Sequence, residues 1–399
     1  MDFRWSKEDD AFRREVRGFL AQELPPNWDD DAGDGEGLDA EEKIQFAKRF
    51  SKKLGERKWL CASWPEEYGG LSWSPMKQFI FNEELGKRRI DLSRLSMGAG
   101  VLIVGPSIIA HGTPEQKARF LPPIARGEAQ WAQLYSEPNA GSDLASIETT
   151  ADDMGDYFLV NGWKTWSSMA EKAQWAAMLA RTDRKAPKHR GISYLLLDLK
   201  SPGIHFFPLV NMCDVAHFNT IHLENVVVPK NCLLGEQNNG WRAATSTLNL
   251  ERSFIRHVCN GLQYFDELMK TAKQGTGGRK PLEENVLLRQ RLAQLAIETH
   301  ISQLFAYRIA WMQERGNKPT YETSIQKLFN SEMTQRMVQV GMEIAGLHGQ
   351  LTLGSPHQVM KGKAQLLYRA QRAITIGGGT SEIQRNLIGQ RGLGLPKGS

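Results

Sequence analysis

The feature that most constrains the fold of this chain is a change of pattern in its middle. Up to about Gln130, and again after Gly240, segments with mixed charged and apolar faces predict helices. Between these points, short β-rich stretches are divided by turns, which is typical of a small antiparallel barrel or sandwich. The order of helices, then strands, then helices predicts an α+β fold, divided at residues 1–129, 130–237 and 238–399.

The individual elements follow from periodicity and turn signals. Four N-terminal helices are predicted: Asp10 to Glu23, Glu41 to Lys58, Met76 to Arg88 and Pro114 to Ala125. The segment His111 to Glu115 predicts a helix end followed by a new helix with proline in its first turn. Five strands are predicted: Trp131 to Tyr135, Tyr157 to Val160, Trp175 to Leu179, Ile192 to Leu197 and Phe218 to Val228.

One C-terminal stretch has apolar residues spaced by three and four positions, which predicts one face of a long helix. Its methionines are interpreted as core packing rather than a binding surface. The face consists of Ile325, Phe329, Met333, Met337, Val340 and Ile344.

Composition excludes several classes of protein. The chain has 399 residues with 50 basic and 45 acidic side chains and no long basic run, so no nucleic-acid partner is expected. No secretory signal and no apolar run that could span a bilayer are visible. The four cysteines form no C-x-x-C pair, which favours a reduced cytoplasmic setting. No phosphate loop, dinucleotide glycine motif or H-E-x-x-H metal motif is found.

Two segments of the β-rich region carry candidate binding groups. Tyr135 to Asp143 reads Y-S-E-P-N-A-G-S-D, and Asn161 to Ser168 reads N-G-W-K-T-W-S-S. The first alone is typical of an acidic surface loop. The second, placed just after a turn, adds an aromatic ring and two hydroxyls that suit a flat heterocycle through stacking and hydrogen bonds.

These segments resemble signatures of the acyl-CoA dehydrogenase family. Residues 136–143 are similar to T-E-P-x-A-G-S-D, and residues 161–168 are similar to N-G-x-K-x-W-I-T/S. The C-terminal Gly379 to Arg385 resembles G-T-S-E/Q-I-Q-R. His111 to Lys117 also resembles a family segment, so the likeness extends over essentially the whole chain.

The resemblance implies an N-terminal helical domain, a middle β domain and a C-terminal helical bundle that together bind FAD and an acyl-CoA. It also implies a homodimer or homotetramer, or a hetero-oligomer, with electron-transfer flavoprotein as the acceptor. The implied FAD-binding residues are Gln133, Ser136, Ser142, Trp166, Ser168, Glu343, Gly346, Thr380 and Glu382. The implied substrate-binding residues are Ser142, Asn249, Arg252, Gly378 and Gly379. No metal ligand is expected.

The catalytic base departs from the commonest family pattern. Family enzymes remove a proton from the carbon beside the thioester and pass hydride to the flavin, and many carry the base where this chain has Gly378. A branch resembling isovaleryl-CoA dehydrogenases instead has a glutamate in a D-L-E-R sequence, which Glu251 matches. The pairing of Glu251 with a small residue at 378 predicts a branched, cyclic or otherwise bulky acyl group.

Two other interpretations remain open from the sequence. The chain could be a non-catalytic or partner-dependent subunit of a mixed oligomer, or an oxidase or monooxygenase on the same fold that uses oxygen.

The family's R-x-x-F-G segment is also missing, and either Arg279 or Arg289 could neutralise the FAD pyrophosphate or be a surface charge.

Overall fold

The protein is described from a computed structural model. The structure describes residues 5–25, 28, 40–90, 98–247, 254–275 and 281–396. Within these ranges, no helix is both long enough and apolar enough to cross a membrane.

The order of elements confirms the α+β prediction. Among the described residues, the α-helices before the first strand are α1 Lys7–Glu23, α2 Ala40–Glu56, α3 Pro75–Lys87, α4 Gly105–His111 and α5 Pro114–Ala125. Seven strands follow: β1 Trp131–Leu134, β2 Thr150–Asp153, β3 Tyr157–Ser168, β4 Trp175–Arg181, β5 Ile192–Asp198, β6 Ile204–Leu209 and β7 Phe218–Pro229. The remaining helices are α6 Gly240–Thr247, α7 Ile255–Gln274, α8 Pro281–Glu284, α9 Val286–Glu314, α10 Glu322–Ala345, α11 Lys363–Ala370 and α12 Ser381–Leu387.

Capping residues explain why the N-terminal helices begin where they do. The Thr113 hydroxyl accepts a hydrogen bond from the Gln116 N–H at 3.2 Å, and the Gln116 side chain bonds back to the Thr113 N–H at 3.1 Å. Pro114 occupies the first helical position, where its missing N–H costs nothing. The predicted start of α5 is therefore confirmed.

The strands form one seven-stranded sheet in the order β1-β4-β2-β3-β7-β6, with β5 paired to β4. Most pairs are antiparallel, as predicted, but β4 pairs in parallel with both β1 and β2. The structure adds β2 and β6, and it extends the third strand from Val160 to Ser168. The second motif therefore lies on β3 itself, which continues through two irregularities against β7.

Two compact units can be distinguished. The helical unit contains the described residues of Met1–Leu38, Ser74–Asp91 and Arg252–Ser399, and the sheet unit those of Asp39–Trp73 and Leu92–Glu251. In the sheet unit, Phe120 of α5 packs edge-on against Trp131 and Trp175, with ring centroids 5.5 and 4.9 Å away.

The core of the helical unit includes the predicted face of the long helix. Met333, Met337, Val340 and Ile344 are buried in one apolar cluster, and Phe329 packs against it. A second cluster joins Phe79 of α3 to Ile255 and Val258 of α7 and shows that helices distant in sequence share one interior.

Candidate functional site

The first candidate segment forms a tight turn after β1. The Glu137 N–H donates to the Ala140 carbonyl at 3.0 Å, and the Ala140 N–H donates back to the Glu137 carbonyl at 3.1 Å. Pro138 and Asn139 lie exposed at the tip of this turn, whereas Glu137 is buried. The turn therefore directs its one carboxylate into the protein.

Glu137 forms a buried ion pair with Lys164, a residue of the second candidate segment. The Lys164 ammonium, which is fully buried, donates to the Glu137 carboxylate at 2.7 Å. It also donates to the carbonyls of Tyr135 at 3.2 Å and Leu179 at 2.7 Å. All three N–H donors of the ammonium thus have acceptors, which is what a buried charge requires.

The carboxylate of Glu137 is satisfied in the same way. It accepts hydrogen bonds from the backbone N–H of Glu148 at 2.6 Å and of Thr149 at 3.0 Å. Burial by itself would raise the pKa of Glu137, but the Lys164 charge and these hydrogen bonds outweigh burial and lower it. Burial also lowers the pKa of Lys164 to about 8, although the Glu137 carboxylate acts in the opposite direction. The pair is therefore ionised at neutral pH.

The same two segments are joined through their backbones. The Thr165 N–H donates to the Ser136 carbonyl at 2.9 Å. Gly162 has a φ of +149°, and a β-carbon there would lie 2.5 Å from the Thr149 hydroxyl oxygen, so only glycine fits. The N-G-x-K-x-W pattern therefore combines a glycine demanded by packing with a lysine demanded by the Glu137 turn.

The indole of Trp166 is presented to the outside at the end of β3. Its backbone lies in the left-handed region, with φ of +59°, within a register shift between Lys164 and Ser167. The side chain is 61% exposed, although Phe218 of β7 contacts it edge-on at 5.7 Å. An exposed large aromatic ring at an irregular strand end is suited to stacking on a ligand.

The other predicted flavin residues of the sheet unit differ in exposure. Gln133 and Ser136 are half-buried at the end of β1, whereas Ser142 and Ser168 are exposed. The structure brings Ser136 and Trp166 together through the neighbouring Thr165 backbone. An open ring face with accessible hydroxyls fits a flat, polar heterocycle such as a flavin.

In the helical unit, the predicted substrate residues Gly378 and Gly379 form a turn, here called the glycine turn (residues 377–379). Gly378 and Gly379 have φ of +68° and +93°, a left-handed conformation that only glycine adopts easily. No heavy atom of the described residues lies within 4 Å of where a Gly378 β-carbon would be, whereas one at Gly379 would lie 2.6 Å from the Gln384 amide nitrogen. Of these two glycines, Gly378 is therefore the one whose missing side chain would meet none of the described residues.

A cleft of about 500 Å³ lies beside the start of α12. Thr380 caps this helix by accepting from the Ile383 N–H at 3.2 Å, and Glu382 lies in its first turn, where the N-terminal amides and the Thr380 hydroxyl lower the pKa of the carboxylate. Among the described residues, the buried Ser381 Oγ and one Arg372 guanidinium nitrogen, both from residues lining the cleft, have no hydrogen-bond partner. Unsatisfied donors here fit a polar ligand such as the dinucleotide part of FAD.

The remaining predicted cofactor residues lie at the end of α10. Glu343 forms an ion pair with Arg291, which explains how a carboxylate is accommodated where the family usually has glutamine. Gly346 ends the helix with a φ of +57°. Neither residue lines the cleft beside α12.

Asn249, Glu251 and Arg252 lie outside the described residues. No functional role was predicted for Glu137, Lys164, Lys327 or Gln384, although all of them except Lys327 belong to the quoted motifs. A larger cavity of about 880 Å³ in the sheet unit is lined by residues of α2 and α5 and by residues 66–69, and it contains none of the predicted site residues.

Comparisons with known proteins agree with these motifs. Three family models match: acyl-CoA dehydrogenase N-terminal domain at residues 6–128, middle domain at 132–226 and C-terminal domain at 238–393. Acyl-CoA dehydrogenase IpdE1 of Mycobacterium tuberculosis is 33% identical over 97% of this chain and 98% of its own length.

Two solved structures superpose over the full length of both chains. One is the Tcur3481-Tcur3483 steroid ACAD, with a TM-score of 0.86 and 28% identity. The other is the ChsE4-ChsE5 complex from Mycobacterium tuberculosis, with a TM-score of 0.85 and 30% identity. The predicted arrangement of helical, β and helical domains is thereby confirmed. The chain belongs to the acyl-CoA dehydrogenase family of flavin-dependent oxidoreductases.

Proposed function

We propose that this protein catalyses FAD-dependent α,β-dehydrogenation of an acyl-CoA whose acyl group is branched, cyclic or otherwise bulky. The observation that carries this proposal is the conformation of Gly378. Many family members have the catalytic glutamate at this position. Here the backbone has a φ of +68°, which strains any L-residue, and the space beside it is open. The base therefore comes from another position, and the missing side chain leaves room for substrate.

Glu251 is the proposed base. Bound FAD would supply the two-electron acceptor for the reaction. The Glu251 carboxylate would remove the proton from the carbon next to the thioester, and desolvation beside the substrate would raise its basicity. Asn249 and Arg252, its neighbours in the sequence, are proposed to contact the CoA ester. These three assignments rest on the sequence.

Each unit contributes its own proposed FAD-binding residues. In the sheet unit, Trp166 would stack against the flavin ring while Gln133, Ser136, Ser142 and Ser168 offer polar groups to its edge. In the helical unit, Thr380 and Glu382 at the cleft would serve the dinucleotide part, and Glu343 and Gly346 the adenine half. The Glu137–Lys164 pair fixes the turn that carries Ser136.

Similarity to a solved structure supports the proposal that the acyl group is bulky. A similar structure, with a TM-score of 0.86, is named a steroid ACAD. The fused rings of a steroid need space, and the absence of a side chain at Gly378 leaves such space beside the glycine turn. A cytoplasmic setting and reoxidation by electron-transfer flavoprotein complete the proposal.

Replacing Glu251 with glutamine tests the base directly. We expect Glu251→Gln to retain bound FAD, because an amide keeps the size of the side chain, and to reduce flavin bleaching by a bulky acyl-CoA by about 10³-fold or more. The measurement is anaerobic stopped-flow absorbance of the flavin, with α-proton exchange followed in D₂O.

The matched control is Glu236→Gln, which removes an exposed carboxylate of the sheet unit. It should bleach like the wild type. Bleaching by Glu251→Gln at the wild-type rate would contradict the assignment, whereas a wild-type protein that no CoA ester bleaches would contradict the dehydrogenase function of the isolated chain.

A second candidate, a partner-dependent subunit, is favoured by one observation. Two similar structures are named for two proteins each, Tcur3481-Tcur3483 and ChsE4-ChsE5. In that case the purified chain would lack FAD and would bleach only after a second chain is added. The same stopped-flow experiment on the chain alone separates the candidates.

A further inference from the structure

The glycine turn is held by side chains from two helices. The first is Lys327 of α10, whose ammonium donates to the Gly379 carbonyl at 2.6 Å. Lys327 is 6% exposed and forms no ion pair among the described residues. Burial lowers its pKa, although Glu382 and Glu332 partly offset this effect. Burying an ammonium without a counterion costs free energy, and the hydrogen bond to the Gly379 carbonyl offsets part of that cost.

The second side chain is Gln384 of α12. Its amide nitrogen donates to the Gly378 carbonyl at 3.2 Å and the Gly379 carbonyl at 3.3 Å. Gln384 is 2% exposed, so its position is fixed by packing. The Gly379 carbonyl thus accepts from both Lys327 and Gln384, while the Gly378 carbonyl accepts from Gln384.

These contacts fix the orientation of two peptide planes. No described peptide bond is cis, so each carbonyl points opposite to the N–H of the same plane. Holding the carbonyls of Gly378 and Gly379 against Gln384 and Lys327 also orients the N–H groups of Gly379 and Thr380. Two consecutive glycines in the left-handed region have little conformational restraint of their own. The side-chain contacts supply the restraint that the sequence of the turn lacks.

We propose that Lys327 and Gln384 are positioning residues that hold the glycine turn in the conformation needed for the reaction. This role rests on the proposed function. Lys327 of α10 and Gln384 of α12, together called the clamp, hold the glycine turn and so set the shape of the open space beside Gly378. The clamp keeps the turn from moving into that space, so that the space stays open to a bulky acyl group.

The experiment compares Lys327→Met, Gln384→Leu and the double variant of the full-length flavoprotein. We expect Lys327→Met to lower the limiting rate of flavin reduction about tenfold, because a small misplacement of a positioning element is costly. The apparent Kd of the CoA ester should change by less than about threefold. Since both side chains act on one carbonyl, the double variant should lose less than the product of the single effects.

Lys363→Met is the matched control. Lys363 is another largely buried lysine of the helical unit, with 13% of its side chain exposed, and it pairs with Glu267 at 3.1 Å. Its replacement should leave the reduction rate unchanged. Equal losses in Lys327→Met and Lys363→Met, or no loss in Lys327→Met, would overturn the proposal.

Hydrogen exchange gives a readout that needs no turnover. In Lys327→Met, amides of residues 376–381 should exchange about tenfold faster or more, while those of α7 keep their wild-type rates. Unchanged exchange at the glycine turn would overturn the clamp. A wild-type protein that no acyl-CoA reduces would instead contradict the proposed function and leave this measurement valid. If Lys327→Met does not fold, Gln384→Leu carries the same expectations.

Discussion

Two backbone turns in this protein are each held by a buried lysine, and the two lysines differ in their partners. In the sheet unit, Lys164 satisfies a carboxylate and two carbonyls, all from strands or the turn they support. In the helical unit, Lys327 meets a single carbonyl of the glycine turn and forms no ion pair among the described residues. Lys164 therefore stabilises the first turn as part of an ion pair, whereas Lys327 stabilises the second turn without a paired carboxylate among the described residues.

The difference separates two kinds of restraint. A buried lysine with a paired carboxylate ties its segment to the stability of the whole unit, because breaking the pair leaves an uncompensated charge. A lysine that donates to one carbonyl, with Gln384 as a second donor to it, restrains local geometry, and its removal breaks no ion pair among the described residues. Loss of the first should destabilise the whole sheet unit, whereas loss of the second should mainly affect the turn.

The largest expected effect is that of Lys164→Met. It leaves the buried Glu137 carboxylate without its cation, so we expect the free energy of unfolding to fall by about 3–5 kcal/mol. Lys327→Met, which orphans no carboxylate, should lose only about 1 kcal/mol. Urea unfolding followed by circular dichroism measures both values.

The double variant Glu137→Gln with Lys164→Met is the control for this comparison. Glutamine keeps an acceptor for the Thr149 N–H but removes the unpaired charge. We expect it to recover at least half of the stability lost in Lys164→Met. Equal stability of the single and double variants would show that the charge pair is not what distinguishes the two lysines.

The glycine turn can be tested with two alanine substitutions of intermediate effect. Gly378→Ala should cost about 1–2 kcal/mol of unfolding free energy from its left-handed backbone alone. Gly379→Ala should cost more, because its β-carbon would also displace the Gln384 amide. A thermal melt of each variant compares them. A Gly378→Ala variant that is the less stable of the two would contradict the open space described beside Gly378.

The smallest expected effect is the loss of unfolding free energy at acidic pH that comes from protonation of Glu137. The pKa of Glu137 is lower in the folded protein than its usual 4.5, so its contribution to stability is fully present above about pH 4.5 and is lost as pH falls through the folded pKa. One proton contributes at most about 1.4 kcal/mol per pH unit. Glu137→Gln should therefore show a shallower decrease in unfolding free energy below pH 4.5 than the wild type, measured by urea titration. Equal slopes would exclude Glu137 as an acid-sensitive group.

The sequence identified candidate site residues but not the contacts that hold them. Ser136, Trp166 and Thr380 were predicted as site residues because they lie within recognisable family signatures. The Glu137–Lys164 pair spans 27 residues and the Lys327–Gly379 contact spans 52. Periodicity reports which face of an element is buried, but it does not report which distant group a buried lysine meets.

The limits on the fold prediction have similar causes. Strand β6 contains Pro208 and alternates between half-buried and exposed residues, so it lacks the apolar pattern of a central strand. The start of α1 at Lys7 rather than Asp10 could have been predicted, since Ser6 and Asp9 form a capping box. The parallel pairing of β1 with β4 depends on contacts that no local pattern encodes.

The discontinuous composition of the helical unit has a consequence for biosynthesis. Phe79 of α3 is buried against Ile255 and Val258 of α7, which leave the ribosome more than a hundred residues later. At roughly 5–20 residues per second, α3 waits on the order of ten seconds for this partner. The sheet unit ends at Glu251, four residues before Ile255, so most of it is synthesised during that interval. Nascent chains that stop before α7 therefore leave the face of α3 that carries Phe79 uncovered, and we expect chaperones to bind them.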